Sequence, residues 1–437
     1  MRALIYGINY APELTGIGRY TGEMAEWLAA RGMDVTVVTA PQYYPAWRVA
    51  DGYSAIRYRK ERVGGVDVWR CPLWVPRRPT GLRRLLHLAS FALSSLPVMM
   101  WLAVRLRPRL VLVVEPPLFA APAALLVARL CGASAWLHVQ DFEVDAAFDL
   151  GMLRSRALRR TTAAIERWLM RRFDCVSTIS ERMVQRLAAK GVAAARTRLF
   201  PNWVDLGRIR PLASASELRS ANFGDDQVVV LYSGNIGKKQ GLETVLRAAE
   251  LLAASNPGVR FVFCGDGAGR TELERAAHGL PNVEFWPLVP AERLNDLLNA
   301  ADIHVLPQRA DAADLVFPSK LTNMLASGRV VVATAHSGTQ VAGMLTGCGA
   351  VVPPDDPRAL ADALLALARD HRRREELGAL GRRLAERLWD RDAVLEAAFH
   401  DYLAGRDDAR AREPLASQSS SLRRTSSVRA SVTRDTA

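Results

Sequence analysis

Cysteine is scarce in this chain. Cys71, Cys131, Cys175, Cys264 and Cys348 lie far apart among 437 residues and never fall in a CxxC spacing. That excludes a disulfide framework and a zinc ribbon, and it fits a reducing cytosol. A dinucleotide fingerprint is missing as well. Gly7, Gly16 and Gly18 do not make GxGxxG, and the strand-like DVTVVT ends at Thr39-Ala40-Pro41 without an acid to hold a ribose. Nor does the start resemble a secretory leader, because Met1 to Gly7 carries one arginine and reads as a strand. The chain is therefore expected to stay in the cytoplasm.

Negative charge is also in short supply. Lysine and arginine number 58 against 45 acids, a formal net charge of +13. Such a balance calls for an anionic partner. The arginines cluster at Arg77, Arg78, Arg83 and Arg84 and again from Arg154 to Arg172, beside apolar segments and without a nucleic-acid-reading motif. An anionic membrane surface is favoured and nucleic acid is not. One long apolar run, Leu85 to Val104, approaches bilayer-spanning length. It contains His87, three serines and Pro97, arginines flank both ends, and the strand-like LVLVVEPP follows within a few residues. It reads as a monotopic or buried crossover helix, so peripheral association with the inner membrane is expected.

What the chain does have is strand–helix–strand grammar, twice. RALIY, a loop with Pro12 and Gly16-Ile17-Gly18, a helical stretch from Arg19 to Arg31 and DVTVVT form a βαβ unit. Further strands are expected at Leu110 to Val114, Ala135 to Val139 and Cys175 to Ile179. The pattern restarts at Val228 to Tyr232 and continues through Arg260 to Cys264, Val283 to Trp286 and Ile303 to Leu306. The class is α/β, with two Rossmann-like parallel-sheet domains. The expected limits are a first domain over 1–205, a polar linker over 206–226 and a second domain over 227–385. A helix over 386–404 packs back on the first domain, and a disordered Ser/Arg-rich tail covers 405–437.

Several loops at strand ends carry candidate chemistry. Gly234, Asn235, Gly237, Lys238 and Lys239 lie between a strand and a helix, where small residues let backbone N–H groups close on a diphosphate and lysines supply charge. Gly265-Asp266-Gly267 repeats the pattern after FVFC. Ser319-Lys320 opens a short helix followed by Gly328 and a strand, a second anion-binding end on the same cleft. In the first half, Gly16 and Gly18 offer backbone N–H groups. His138, Asp141 and Glu115 stand at strand ends, where an imidazole or carboxylate can orient or deprotonate a hydroxyl.

Taken in order, GINYAPELTGIGRYTGEMAEWLAARGMDVTVVT, HVQDFEVDA, FPNWVD, YSGNIGKKQGLE, FCGDGAGR and ADIHVLP with FPSKLTNMLASG resemble glycosyltransferase family 4 of the GT-B fold over about residues 1 to 400. Within that family the chain is similar to exopolysaccharide fucosyltransferases of the colanic-acid kind. The resemblance implies two domains facing across a cleft, a nucleotide-sugar donor on the second domain, an acceptor on the first, and transfer with retention. Lys238, Lys239 and Lys320 then neutralise the leaving diphosphate, which lowers the barrier as negative charge grows there. Gly265 to Gly267 with Pro287, Leu288 and Val289 frame the base, and Asp141 matches the family's loop acid. No metal and no other cofactor is expected, since no DxD-type acid pair stands in a suitable loop.

One departure stands out. The family's Glu, seven residues, Glu pattern falls here on Leu315 and Asn323, leaving Asp314 to replace the first acid or to be a plain loop charge, and Asn323 to meet a ribose hydroxyl as a neutral amide. The reaction implied is transfer of fucose from GDP-fucose to a polyprenyl-diphosphate-linked glycan. The alternatives are a UDP-sugar donor, a nucleotide-sugar epimerase or a non-catalytic scaffold.

Overall fold

Runs such as LVLVVE and VVVLYS, apolar on both strand faces, can only be satisfied in the middle of a sheet covered on both sides. The computed structural model places them there. It describes the chain except residues 14–15, 45, 78–80, 143–155, 238–239, 257, 311–318 and 412–437, and except the side chains of 156–158 and 405–411.

The first sheet has eight strands in the order β3-β4-β2-β1-β5-β6-β7-β8. They are β1 (Arg2–Tyr6), β2 (Asp34–Thr39), β3 (Arg59–Val63), β4 (Val66–Arg70), β5 (Leu110–Glu115), β6 (Ser134–Val139), β7 (Cys175–Thr178) and β8 (Thr197–Leu199). All neighbours pair in parallel except β3 with β4, an antiparallel edge hairpin that the parallel-sheet expectation lacked. β3, RKERV, has no apolar alternation, and its arginines and lysine blunt the exposed edge.

The second sheet has six parallel strands in the order β11-β10-β9-β12-β13-β14. These are β9 (Val228–Ser233), β10 (Val259–Cys264), β11 (Val283–Trp286), β12 (Ile303–Leu306), β13 (Val330–Thr334) and β14 (Gly349–Val352). In each sheet the order reverses beside a central strand, and ligands of such sheets sit at the carboxyl ends there.

Four helices of the first domain matter for function: α1 (Ile17–Ala30), α2 (Gly81–Leu106), α3 (Ala121–Cys131) and α4 (Arg156–Met170). The apolar run Leu85 to Val104 is the body of α2, a crossover between β4 and β5. One face, including Leu88, Phe91, Val98, Met99 and Leu102, is core; the opposite one exposes Leu82, Leu86, Leu93, Leu96, Trp101 and Val104.

Three expected limits need correction. Residues 206–226 are not a free linker: Ile209 is buried with Leu298, Phe223 packs with Val229 and Leu231, and Arg219 pairs with Asp302 at 2.6 Å. The break expected at 385/386 falls inside the helix His371–Trp389, and the next helix, Arg391–Ala411, starts after Asp390. That last helix buries Leu395 and Phe399 against Trp136 and Phe200 of the first domain and continues beyond 405, where the tail was expected to begin. The remainder, 412–437, lies outside the described residues.

Candidate active site

The loop after β9 and the loop after β10 lie directly on one another. Gly234 N–H donates to the Cys264 carbonyl and Ile236 N–H to the Asp266 carbonyl, both at 2.8 Å. Glycine is what permits it. A Cβ on Gly265 would stand 1.8 Å from the Gly234 carbonyl oxygen, and one on Gly267 would stand 2.4 Å from that of Ile236. Asn235 is exposed and Gly237 half-buried on this ledge, while the Asp266 carboxylate accepts the Gly267 N–H at 2.7 Å. Leu288 is exposed beyond β11, close to where the Cys264 thiol donates to the Pro287 carbonyl at 3.1 Å, and Val289 is half-buried beside it. Lys238 and Lys239, expected on the diphosphate, lie outside the described residues.

Lys320 begins the helix Lys320–Ala326 and reaches under the same ledge. Its Nζ donates to the Tyr232 hydroxyl at 2.7 Å, and that hydroxyl donates to the Asn235 carbonyl at 2.6 Å. The ammonium also lies over the Tyr232 ring, 4.3 Å from its centroid. Only glycine at 234 leaves the space, since a Cβ there would meet Lys320 Cε at 2.4 Å.

Burial pushes the Lys320 ammonium down to about 8, and among the described residues no carboxylate offsets it. A buried cation without an anion is costly, and a bound anion removes the cost. One turn along the helix, Asn323 Oδ1 is buried without a hydrogen-bond partner among the described residues. Ser319 precedes the helix, and among the described residues its side chain makes no capping bond. Asp314 and Leu315 lie outside the described residues.

Across the cleft, Gly16 starts α1 with φ 64° and open space above it. Gly18 lies flush on Glu13, whose Oε2 would be 2.4 Å from a Cβ there. Glu13 was not singled out from sequence. It is 4% exposed, accepts from Asn9 Nδ2 at 3.0 and 3.2 Å and from the main-chain N–H groups of Tyr43 and Tyr44, and burial still pushes its carboxyl up to about 7. The Tyr20 hydroxyl of α1 hydrogen-bonds Thr322, so the helix starts on the two domains face each other.

Two acceptor-side candidates are corrected. His138 does not face the cleft: it is 3% exposed beside the Phe200 ring, and its Nδ1 and Nε2 are each 2.9 Å from Ser177 Oγ and Gln140 Nε2. Burial pushes the imidazole down to about 3, so it is neutral and structural. Glu115 ends β5 with 0% exposure, enclosed at the sheet centre where an acceptor cannot touch it. Asp141, just beyond β6, is half-buried.

Residues 15–203 match the glycosyl transferase 4-like domain and residues 227–370 the glycosyl transferases group 1 domain. The chain is 43% identical, over 92% of its length and 99% of the relative's, to the putative colanic acid biosynthesis glycosyl transferase WcaI of Escherichia coli (strain K12). This chain is a glycosyltransferase of that family. A second relative of this glycosyltransferase is the GDP-mannose-dependent alpha-(1-6)-phosphatidylinositol monomannoside mannosyltransferase of Mycobacterium tuberculosis (strain CDC 1551 / Oshkosh), 28% identical over 94% of the chain and 100% of the relative. In fold, the glycosyltransferase superposes on a sucrose-phosphate synthase of Thermosynechococcus elongatus with a TM-score of 0.71 at 20% identity, covering 92% of this chain and 98% of that one. Its two facing α/β domains are the GT-B fold.

Proposed function

We propose that the enzyme transfers a sugar, with retention, from a nucleoside-diphosphate donor to a lipid-linked glycan at the cytoplasmic face of the membrane, in exopolysaccharide assembly. The observation that carries the donor half is the buried Lys320 ammonium beneath the Gly234–Gly237 ledge, offset by no carboxylate among the described residues. A departing nucleoside diphosphate supplies the missing anion, and charge stabilisation there grows as the glycosidic bond breaks. The unpartnered Asn323 Oδ1 accepts from a ribose hydroxyl. Asp141 orients the acceptor hydroxyl from the other side. Fucose from GDP-fucose is the donor we favour, in line with the family resemblance that the sequence motifs carry.

The walls assigned to the base, Gly265 to Gly267 and 287–289, are largely main chain, so a UDP-sugar is the competing donor. Transfer assays with GDP-fucose and UDP-sugars on lipid-linked acceptors, with the product anomer read by NMR, separate the two. Transfer from GDP-fucose with the donor's anomeric configuration supports the reading. Inversion overturns the retaining mechanism, and nucleotide binding without transfer moves the chain to the scaffold class.

Membrane docking rests on the outer face of α2. Its exposed leucines, with Trp101 and Val104, form a stripe about 33 Å long by helical rise, continued by Leu126 and Leu130 of α3. Arg83 lies near one end and Arg105 at the other, the pattern of a helix lying in an anionic interface. Exposed Trp168 and Ile165 on the arginine-rich α4 extend the same chemistry.

A further inference from the structure

The first domain holds a polar and aromatic cluster that neither the donor site nor Asp141 uses. It runs from the cleft to the head of α2. Glu13 binds Asn9, Asn9 binds the Tyr43 hydroxyl, and the Tyr43 ring meets His87 edge-on at 4.7 Å. Trp47 closes the group, 5.7 Å from Tyr43 and 5.3 Å from His87. Trp47 has φ 50°, a left-handed backbone that a bulky residue adopts at a cost and that recurs at ligand sites.

His87 is fully buried. Its Nδ1 donates to the Trp74 carbonyl at 2.6 Å, which makes Nε2 the lone-pair nitrogen, and among the described residues Nε2 has no hydrogen-bond partner. A buried acceptor without a donor calls for one. Beside it stands Arg84, in the first turn of α2, whose charge reaches both Tyr43 and His87. Two turns of α2 begin here, and from Leu82 and Leu86 the exposed apolar stripe leads away.

We propose that this corner binds the head of a prenyl-diphosphate-linked sugar: Arg84 and the α2 amino terminus hold the diphosphate, Trp47 and His87 the first sugar, and the Leu82–Leu86 stripe the start of the prenyl chain. Indole stacks on the apolar face of a pyranose, and a sugar hydroxyl donates to His87 Nε2 once Trp47 shifts aside. Arginine in the first turn of a helix suits a diphosphate by charge and by the helix dipole. The inference rests on the lipid-linked-acceptor reading and names the residues that would recognise it.

The test uses the full chain saturated with GDP and titrated with geranylgeranyl diphosphate and with geranylgeranyl diphosphoglucose. We expect the sugar-bearing probe to bind tighter, Arg84→Gln to weaken both probes about tenfold, and Trp47→Leu or His87→Gln to abolish only the difference between them. GDP affinity stays unchanged in all three variants, which shows that they are folded. Equal binding of both probes to all variants and to the unsubstituted chain overturns the site, as does displacement of GDP by the probes. Failure of GDP itself to bind overturns the donor reading instead and is seen before any probe is added.

Discussion

The two walls of the cleft are assembled by different means. On the second domain, main chain lies against main chain: Gly234, Gly265 and Gly267 let two loops touch, and one side chain, Lys320, is threaded beneath them. On the first domain, side chains from distant segments do the joining, with Glu13, Asn9, Tyr43 and His87 contributed by three separate stretches of sequence. On the proposed function, the difference follows from what each wall would hold. A diphosphate is one compact anion, well served by fixed N–H groups and a cation. A glycan on a lipid presents hydroxyls, a ring face and an apolar chain, which need varied side chains.

Experiments that break one wall should leave the other standing. The largest effect is expected for Lys320→Met, a loss of about 10²–10³ in kcat, the scale for removing one transition-state charge partner. In the ligand-free enzyme the same change should raise the thermal midpoint at neutral pH, because a desolvated ammonium is removed. A Lys320→Met enzyme with full activity contradicts the donor wall. Next in size, Gly265→Ala should cost roughly 1–3 kcal/mol of stability through overpacking, with nucleotide affinity falling alongside. A variant with unchanged unfolding midpoint would mean that the loops are not in contact.

On the first domain the expected effects are smaller. Leu86→Gln with Leu93→Gln on the outer face of α2 should lower partition onto phosphatidylglycerol vesicles by about tenfold or more, from two apolar side chains kept out of lipid, while GDP affinity is unaltered. Equal sedimentation of variant and parent would move docking to α4. Glu13 gives a pH signature: its folded carboxyl titrates near 7 against an ordinary 4.5, so the folded chain holds a proton that the unfolded chain releases between those values. Stability from Glu13 is therefore present below 4.5 and lost as pH rises to 7, and Glu13→Gln should flatten that slope in thermal melts. The smallest effect is expected for His138→Gln, with no change in the shape of the pH–rate profile, since an imidazole titrating near 3 is neutral throughout.

The strand-end loops of the second domain were largely legible in the sequence as structure. Glycines between a strand and a helix, and a lysine opening a helix, are local signals, and the strands around them are unbroken apolar runs. What escaped was long-range or disguised. Glu13 was not singled out because the contacts that bury it, from Tyr43 and Tyr44, come from a distant segment. His138 and Glu115 sat at strand ends as catalytic residues often do, yet strand alternation turned His138 inward against Phe200 and Ser177, and β5 is the central strand that both neighbours cover. β3 was missed because RKERV has the composition of a solvated loop, and pairing with β4 overrode it. The 206–226 segment was polar enough to pass for a linker, although a few residues, Ile209 and Phe223 among them, tie it to the second domain.

On the proposed function, Lys320 waits for the donor's diphosphate. Calorimetric titration of GDP and UDP from about pH 7.5 to about pH 9.5 tests it, since anion binding must restore the proton that burial expels. Affinity should weaken as pH rises through about 8, with proton uptake on binding, and a Lys320→Met variant should bind weakly with neither dependence. Affinity for both nucleotides that is flat with pH and equal in the variant would contradict it.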